Sequence, residues 1–159
     1  KRWRPKNWIE IEAEFDIKLA RDVGGRKGSL DAMEVKYFIG LNQKNDEGKN
    51  VVLTGSVNYQ NVPADTERVG LAFVSPSTLK RILQKDNGGK NDVVAHGVEV
   101  LVGGQRVAHN SSTGTPWWFD ASTQGPSDKF AFEESTVLPK SKTPFAPFWG
   151  DYYLPVAAQ

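Results

Sequence analysis

The stretch Trp8–Leu19 reads WIEIEAEFDIKL and decides the fold class. Apolar side chains occupy its odd positions from Ile9 to Leu19, and charged side chains occupy its even positions from Glu10 to Lys18. This two-residue period is typical of a β-strand with one face in a core and one face in water. A helix would scatter both sets around its surface. The sequence therefore predicts a long amphipathic strand with an acidic face.

Strand signals recur along the rest of the chain. They fall at Met33–Leu41, Val51–Gln60, Glu67–Val74, Val93–Val102, Gln105–His109 and Phe130–Leu138. Between two of these stretches, Gly103-Gly104 can supply the positive φ angles of a tight hairpin turn. Phe38 interrupts the polar face of its strand, which indicates that this second face is not wholly solvated. The pattern predicts a mainly antiparallel all-β domain.

One short helix is predicted near Pro76–Asp86. Ser75 can accept a hydrogen bond from a first-turn amide, and Pro76 suits the first helical position. Asn87-Gly88-Gly89 is expected to end the helix. An apolar stripe lies between them, made of Leu79, Ile82 and Leu83. The order strand, helix, strand over Glu67–Val102 also fits a right-handed parallel crossover, which ranks second because the remaining segments look like antiparallel meanders.

Length and composition favour one soluble domain. The 159 residues are 38% hydrophobic and 25% charged, with a net charge of +1. We predict a single β-sandwich domain over residues 1–159, with a basic arm at 1–7 and a proline- and aromatic-rich C-terminal wrap at 139–159. Because the net charge is small, the opening KRWRPK is interpreted as a solvated terminus rather than a nucleic-acid arm. No apolar run approaches the length of a transmembrane helix.

No catalytic or cofactor motif occurs in the sequence. Cysteine is absent, which excludes disulfides and thiolate nucleophiles. The histidines are His96 and His109, and pairing around Gly103-Gly104 would place His109 opposite Val98, close to His96. A two-histidine metal site is conceivable there, but no third ligand is indicated. We therefore predict no enzyme activity, no cofactor and no metal, and a small hydrolase is the least favoured function.

The acidic residues Glu10, Glu12, Glu14 and Asp16 form a ladder on one face of the first strand. Alternate residues of a strand lie ~6.7 Å apart, which is too wide for adjacent carboxylates to share one compact metal shell. The ladder is interpreted as a charged face or edge that resists aggregation. Because the predicted strand exceeds the usual length of about five or six residues, an overhanging end with this acidic face could meet a partner.

Aromatic residues give the best indication of a binding role. The candidate binding residues are Trp117, Trp118, Trp149, Tyr152 and Tyr153. Adjacent tryptophans in a strand face opposite ways, so one of Trp117 and Trp118 is predicted to point outward or into an interface. Such rings can stack on sugars or anchor a protein contact. The alternative, that most of these rings lie buried beneath the C-terminal wrap, is at least equally favoured.

The C-terminal phrase LPKSKTPFAPFWGDYYLPV, at Leu138–Val156, follows a strand-rich body with one inserted helix. In these features the chain resembles secreted proteins of Akkermansia-type (Verrucomicrobia) and related bacteria that are encoded beside type IV pilus assembly genes. The resemblance implies a single immunoglobulin-like domain without catalysis, associated with the outer membrane or the pilus machinery. It carries no functional motif, so no catalytic or binding residue is transferred from it.

The predicted fold is an immunoglobulin-like β-sandwich, all-β and mainly antiparallel, with one short inserted α-helix. The predicted function is that of a non-enzymatic structural or interaction protein of the bacterial cell envelope or secreted fraction, pilus-associated, which binds a protein partner or itself through edge strands or aromatic anchors. The alternative is a carbohydrate-binding module that uses exposed Trp and Tyr rings. Since the chain starts at Lys1 and its one methionine is Met33, we expect a removed targeting segment and a periplasmic, outer-membrane-associated or secreted location.

Overall fold

The computed structural model describes residues 6–19, 21–64 and 68–146. Within these ranges the chain forms ten strands and one α-helix: β1 (Ile9–Phe15), β2 (Ser29–Lys44), β3 (Asn50–Pro63), β4 (Arg68–Val74), α1 (Pro76–Leu83), β5 (Val93–Val102), β6 (Gln105–Ser111), β7 (Phe119–Asp120), β8 (Gly125–Pro126), β9 (Phe130–Glu133) and β10 (Leu138–Pro139). Short 3-10 turns occur at Arg21–Val23, Gly25–Lys27, Lys90–Asp92 and Lys140–Lys142. No helix in these ranges has the length and apolar character that a membrane span requires.

The main strands form a sandwich of two sheets. The small sheet has the order β1-β4-β10, and the large sheet has the order β6-β5-β2-β3-β9. Neighbouring strands are antiparallel, except that β9 runs parallel to β3. β7 and β8 pair separately with each other. The predicted fold class, an all-β, mainly antiparallel, immunoglobulin-like sandwich with one short helix, is confirmed.

The alternation of β1 decides which side of the small sheet faces the core. Ile9 and Ala13 are buried in the core, and the intervening glutamates are exposed. The predicted strand Trp8–Leu19 is nevertheless too long, because β1 ends at Phe15. The pairing of β1 with the described part of β4 runs from Ile9 opposite Val74 to Phe15 opposite Arg68.

The two faces of β4 are both buried. Its register with β1 places Ala72 and Val74 on the core side of the small sheet. Val69, Leu71 and Phe73 share a face, as their spacing predicts, but that face is the outer one. There Phe73 stacks on Phe145 at 5.0 Å between ring centroids. A strand buried on both faces shows no clear alternation of apolar and polar residues, so its core side could not be chosen from sequence.

The centre of the core is a pair of buried tyrosines. The hydroxyls of Tyr37 on β2 and Tyr59 on β3 lie 2.8 Å apart and satisfy each other by a hydrogen bond. Gly70 on β4 lies directly over them, since a Cβ at this position would come within 2.8 Å of both hydroxyl oxygens. Burial raises the pKa of Tyr59 to about 12. Burial and the neighbouring Tyr59 together raise the pKa of Tyr37 well above its ordinary value.

The predicted strand Phe130–Leu138 is divided between the two sheets. β9 lies at the edge of the large sheet, and the chain then crosses to the small sheet as β10. At the crossing, the backbone N–H groups of Thr136 and Val137 both donate to the carbonyl oxygen of Thr54, at 3.0 and 3.1 Å. The side chain of Val137 is buried in the core. The prediction of one continuous strand is therefore wrong. The local sequence pattern does not show that β9 pairs in parallel with the distant strand β3.

The helix and the hairpin follow the sequence signals closely. The side-chain oxygen of Ser75 accepts a hydrogen bond from the Thr78 N–H at 3.2 Å. The helix ends at Leu83, earlier than the predicted Asp86, because Gln84 adopts a left-handed conformation with φ of 56°. Gly103 and Gly104 have the positive φ angles that the tight turn requires. The parallel crossover is wrong, since β4 and β5 belong to different sheets.

We expect Gly55→Ala to destabilise the fold by about 2 to 4 kcal/mol. A Cβ at Gly55 would lie 1.9 Å from the carbonyl oxygen of Val137, so the crossing from β9 to β10 would have to move. Gly89→Ala is the matched control, because a Cβ there meets no atom within 4 Å. Urea unfolding measures both variants, and equal losses of stability would contradict the close approach at Gly55.

The buried tyrosine pair predicts a loss of stability at alkaline pH. Tyrosines of the unfolded chain ionise near pH 10, whereas Tyr59 in the folded protein keeps its proton to about pH 12. The folded state therefore binds more protons in this window, and the free energy of unfolding falls as the pH rises through it. The variant with Tyr37→Phe and Tyr59→Phe should lose this part of the pH dependence in urea unfolding. An unchanged slope would show that the pair does not cause it.

Candidate binding surfaces

The outer face of the large sheet carries an aromatic layer, formed by Phe38, Trp117, Trp118, Phe119, Phe130 and Phe132. Trp118 is its centre and is only 2% exposed. Its ring stacks on Phe38 at 4.6 Å, and its indole Nε1 donates to Glu99 Oε1 at 2.5 Å. The ring lies directly over Gly97, where a Cβ would come within 2.1 Å of it. This layer explains why Phe38 interrupts the polar face of β2, as its position predicts.

Trp117 lies beside Trp118 on the same face of the sheet. The two rings are perpendicular with centroids 5.4 Å apart, and Trp117 is half-buried. The prediction that these neighbours face opposite ways is wrong, because they lie in a turn. The Phe119 N–H closes that turn by donating to the Pro116 carbonyl oxygen at 3.0 Å. The remaining candidate binding residues, Trp149, Tyr152 and Tyr153, lie outside the described residues.

A cleft of about 470 Å³ opens beside the aromatic layer, between the β5–β6 hairpin and the β7–β8 pair. The guanidinium of Arg106 lies 4.1 Å from the centre of the Phe119 ring, and its Nη1 is 3.5 Å from Glu99 Oε1. Arg106 therefore covers one face of the Phe119 ring. The ring of Trp118 is likewise covered, by Phe38 and Gly97. The rings of this cleft mainly serve the packing of the protein.

The two histidines are not arranged as their spacing predicts. β5 and β6 pair with a register shift between Val100 and Leu101, so His109 lies opposite Glu99 instead of Val98. The backbone N–H of His96 donates to Ser112 Oγ at 3.0 Å. Within the described ranges no group of three or more histidine and acidic side chains is placed to hold a metal ion.

A second surface, here called the open-side groove, lies between β1 and β5. It consists of two clefts that follow one another along β1. The cleft of about 360 Å³ runs along Ile9–Glu12, opposite Val93 and His96. The cleft of about 510 Å³ runs along residues 14–19, opposite the valines of the β5–β6 hairpin.

The groove is where the described part of the core opens to solvent. Six apolar residues pack against the core while remaining partly exposed: Ile11, Phe15, Ile17, Leu30, Val93 and Val98. All six line the two clefts of the open-side groove. The cause is a mismatch of widths, since a three-stranded sheet covers a five-stranded one and leaves β5 and β6 overhanging.

The overhanging hairpin also exposes large aliphatic side chains. Val107 on β6 is 61% exposed, and Val94 on β5 is 60% exposed. Neither exposure was predicted from the sequence; Val94 lies in a valine-rich strand, where it looks like a core residue. Val107 is the extra residue of a β-bulge, because Ala108 pairs with Val100 and Arg106 pairs with Leu101. The pattern of a single sequence gives little indication of such a bulge.

The acidic ladder borders the open-side groove. Glu10, Glu12, Glu14 and Asp16 are all exposed, and the glutamates lie on the outer face of the small sheet. Desolvation, followed by the charge and a hydrogen bond of Glu12, raises the pKa of Glu10. Lys18 and Lys90 also line the groove. The edge of the small sheet is thus an apolar channel with a mostly acidic rim.

Comparison with known proteins gives a family and a similar structure. A family model matches the chain over residues 1–159. A crystal structure from Akkermansia muciniphila is similar to this chain, with a TM-score of 0.74 and 29% sequence identity. That similarity covers 98% of this chain and 80% of the other. No functionally curated protein matches the sequence.

The aromatic layer predicts unequal roles for the adjacent tryptophans. Trp118→Ala should cost about 3 to 5 kcal/mol of stability, because it leaves a cavity over Gly97 and removes the indole N–H that donates to Glu99. Trp117→Ala is the matched control, and it should cost at least about 1 kcal/mol less because Trp117 is half-buried. Urea unfolding followed by circular dichroism measures both, and equal costs would contradict a central position for Trp118.

Proposed function

The chain belongs to the Akkermansia-type family whose model it matches from residue 1 to residue 159. We propose that it is a non-enzymatic interaction protein of the bacterial cell envelope or secreted fraction. It works through protein–protein contacts, and its contact surface is the open-side groove. The supporting observation is that all six partly exposed apolar residues packed on the core line this groove. Pilus association and a periplasmic, outer-membrane or secreted location rest on the resemblance of the Leu138–Val156 phrase.

A partner seated in the groove would complete the burial of the core. Removing apolar surface from water is worth about 25 cal/mol per Å². Ile11, Ile17 and Val98 already contact the core on one side, so a partner needs to cover only their remaining exposed surface. Their conformations are fixed in advance by that packing, which lowers the entropy cost of binding. Val107, more exposed than these, extends the apolar surface onto the hairpin.

The ionisable groups favour binding over catalysis. A lysine and a backbone amide lower the pKa of Asp92, since its carboxylate accepts hydrogen bonds from Lys85 and from the Gly89 N–H. Hydrogen bonds from the Ser122 hydroxyl and N–H lower the pKa of Asp120. These carboxylates accept hydrogen bonds within their own loops and stabilise those loops. A general base would instead need a pKa near neutrality and access to a substrate.

A carbohydrate-binding module is the second candidate. The cleft beside the aromatic layer combines the Phe119 ring with amide and charged groups that can bond to sugar hydroxyls, supplied by Gln105, Gln124 and Glu134. It ranks second because sugar stacking needs an open ring face. Trp118 is buried, and Arg106 lies over Phe119.

The proposed function predicts a protein neighbour at the groove in the living cell. A photo-crosslinking residue that replaces Val107 should give discrete adducts in the bacterium that produces the protein, because this side chain lies exposed at the groove. The same residue in place of Asp46, exposed in the β2–β3 turn, is the matched control. Mass spectrometry should identify a polypeptide in the Val107 adduct.

Two results would contradict this proposal. One is a Val107 variant that gives no adduct beyond those of the Asp46 control. The other is a purified protein that binds a defined oligosaccharide on a glycan array and loses this binding on Trp117→Ala, which would favour the carbohydrate-binding module.

A further inference from the structure

We propose that the open-side groove binds an extended polypeptide segment, which adds to the outer edge of β1 as a strand and alternates apolar with cationic side chains. This inference rests on the proposed function, because it names the kind of partner that the groove accepts. It is carried by three properties of the groove: an edge strand that pairs on one side only among the described residues, an apolar channel along that strand, and an acidic rim.

The edge of β1 can pair with an incoming strand. β1 is the terminal strand of the small sheet, and its one strand neighbour among the described residues is β4. In an antiparallel pair, every second residue turns its N–H and C=O groups away from its partner. Those groups of β1 face the open side, where they present the hydrogen-bonding pattern of a strand acceptor. A folded helix or a flat protein surface could not satisfy them in this way.

The channel has the shape of a strand. β1 contains seven residues and therefore spans roughly 23 Å. The two clefts of the groove follow it from Ile9 to beyond Phe15, with β5 on the opposite side. An added strand sends alternate side chains to opposite faces of the small sheet. One set enters the groove and covers Ile11, Ile17 and Val98, and an apolar side chain suits that position.

The second set of side chains lies beside the acidic ladder. Glu10 and Glu14 are exposed on the outer face of the small sheet, and the next strand would present its outward side chains alongside them. Cross-strand pairs of opposite charge contribute about 0.2 to 1 kcal/mol each. Lysine or arginine at these positions would also relieve the repulsion between Glu10 and Glu12, which contributes to the raised pKa of Glu10.

The same charges argue against a second copy of β1 as the occupant. Pairing of two β1 strands edge to edge would bring two acidic ladders together on one face of a continuous sheet. Like charges directly opposite each other in a sheet are destabilising. Lys18 lies beyond the end of the strand and Lys90 lies before β5, so neither belongs to the row that such pairing would align.

The test uses the full chain and a labelled synthetic peptide that alternates valine and lysine. Two control peptides have the same length: one alternates valine and glutamate, and the other keeps the lysines but replaces the valines with proline. Fluorescence anisotropy should show that the valine–lysine peptide binds at least about tenfold more tightly than either control. Proline fails because it removes backbone donors, and glutamate fails because it meets the acidic ladder.

Charge-reversal variants test the position of the peptide. Glu10→Lys combined with Glu14→Lys should weaken binding of the valine–lysine peptide by about tenfold. Asp46→Lys combined with Asp128→Lys makes the same change in net charge at exposed sites outside the groove, and it should leave binding within about twofold of the wild type. Equal losses in the two variants would show non-specific charge attraction and would overturn the proposal.

Amide hydrogen exchange tests the strand pairing itself. The peptide should protect amides of β1, while amides of β9, at the edge of the large sheet away from the groove, should keep their exchange rates. Peptide binding without protection of β1 would overturn strand addition, and so would protection of β1 that rises with protein concentration alone, because a second copy would then be the occupant. If Val107 crosslinks to a protein but the peptide does not bind, the proposed function stands and strand addition falls. If both fail, both are wrong.

Discussion

The β2–β3 pair has two apolar faces, and the rest of the fold is arranged to cover both. On one face Tyr37 and Tyr59 lie buried beneath the small sheet, and on the other Phe38 and Val52 lie beneath Trp118. A sheet with two apolar faces is unstable in water until a layer covers each side. The chain supplies one layer as a second sheet and the other as an irregular aromatic segment. Gly70 and Gly97 allow the close approach of the two layers, since a Cβ at either would clash with the aromatic groups beneath it.

The sequence is informative wherever a residue's burial depends on its own strand. The alternation of β1 predicts its core face correctly, and Phe38 predicts a second covered face. Prediction from sequence is less accurate where a distant segment of the chain determines whether a residue is buried. Trp117 and Trp118 look like strand residues, yet a turn places both rings on the same sheet. The residues after β9 continue an apolar pattern, but the chain leaves the large sheet after the bonds of Thr136 and Val137 to the Thr54 carbonyl and pairs with β4 of the small sheet as β10.

The candidate site was only half predictable for the same reason. The acidic ladder is explicit in the sequence, and so is its location on an edge or an exposed face. The apolar channel beside it is not, because it arises from the difference in width between two sheets whose strand order cannot be read from one chain. Ile11 and Val98 look like ordinary core residues in their strands. Their partial exposure follows from the position of β1 at the end of one sheet and of β5 near the end of the other.

An open sheet edge beside apolar surface invites uncontrolled pairing, and the charge on β1 bears directly on that hazard. Natural proteins protect edges with charged side chains, among other devices, because a strand of like charge cannot pair there without cost. A ladder of one sign does more than protect, since it penalises a second acidic strand and favours a basic one by similar amounts at each position. Glu10 and Glu14 would therefore keep identical copies apart while leaving the groove accessible to a cationic segment. Protection from self-association and selection of a partner would then arise from the same carboxylates, which accounts for an acidic rim around an apolar channel better than either role alone.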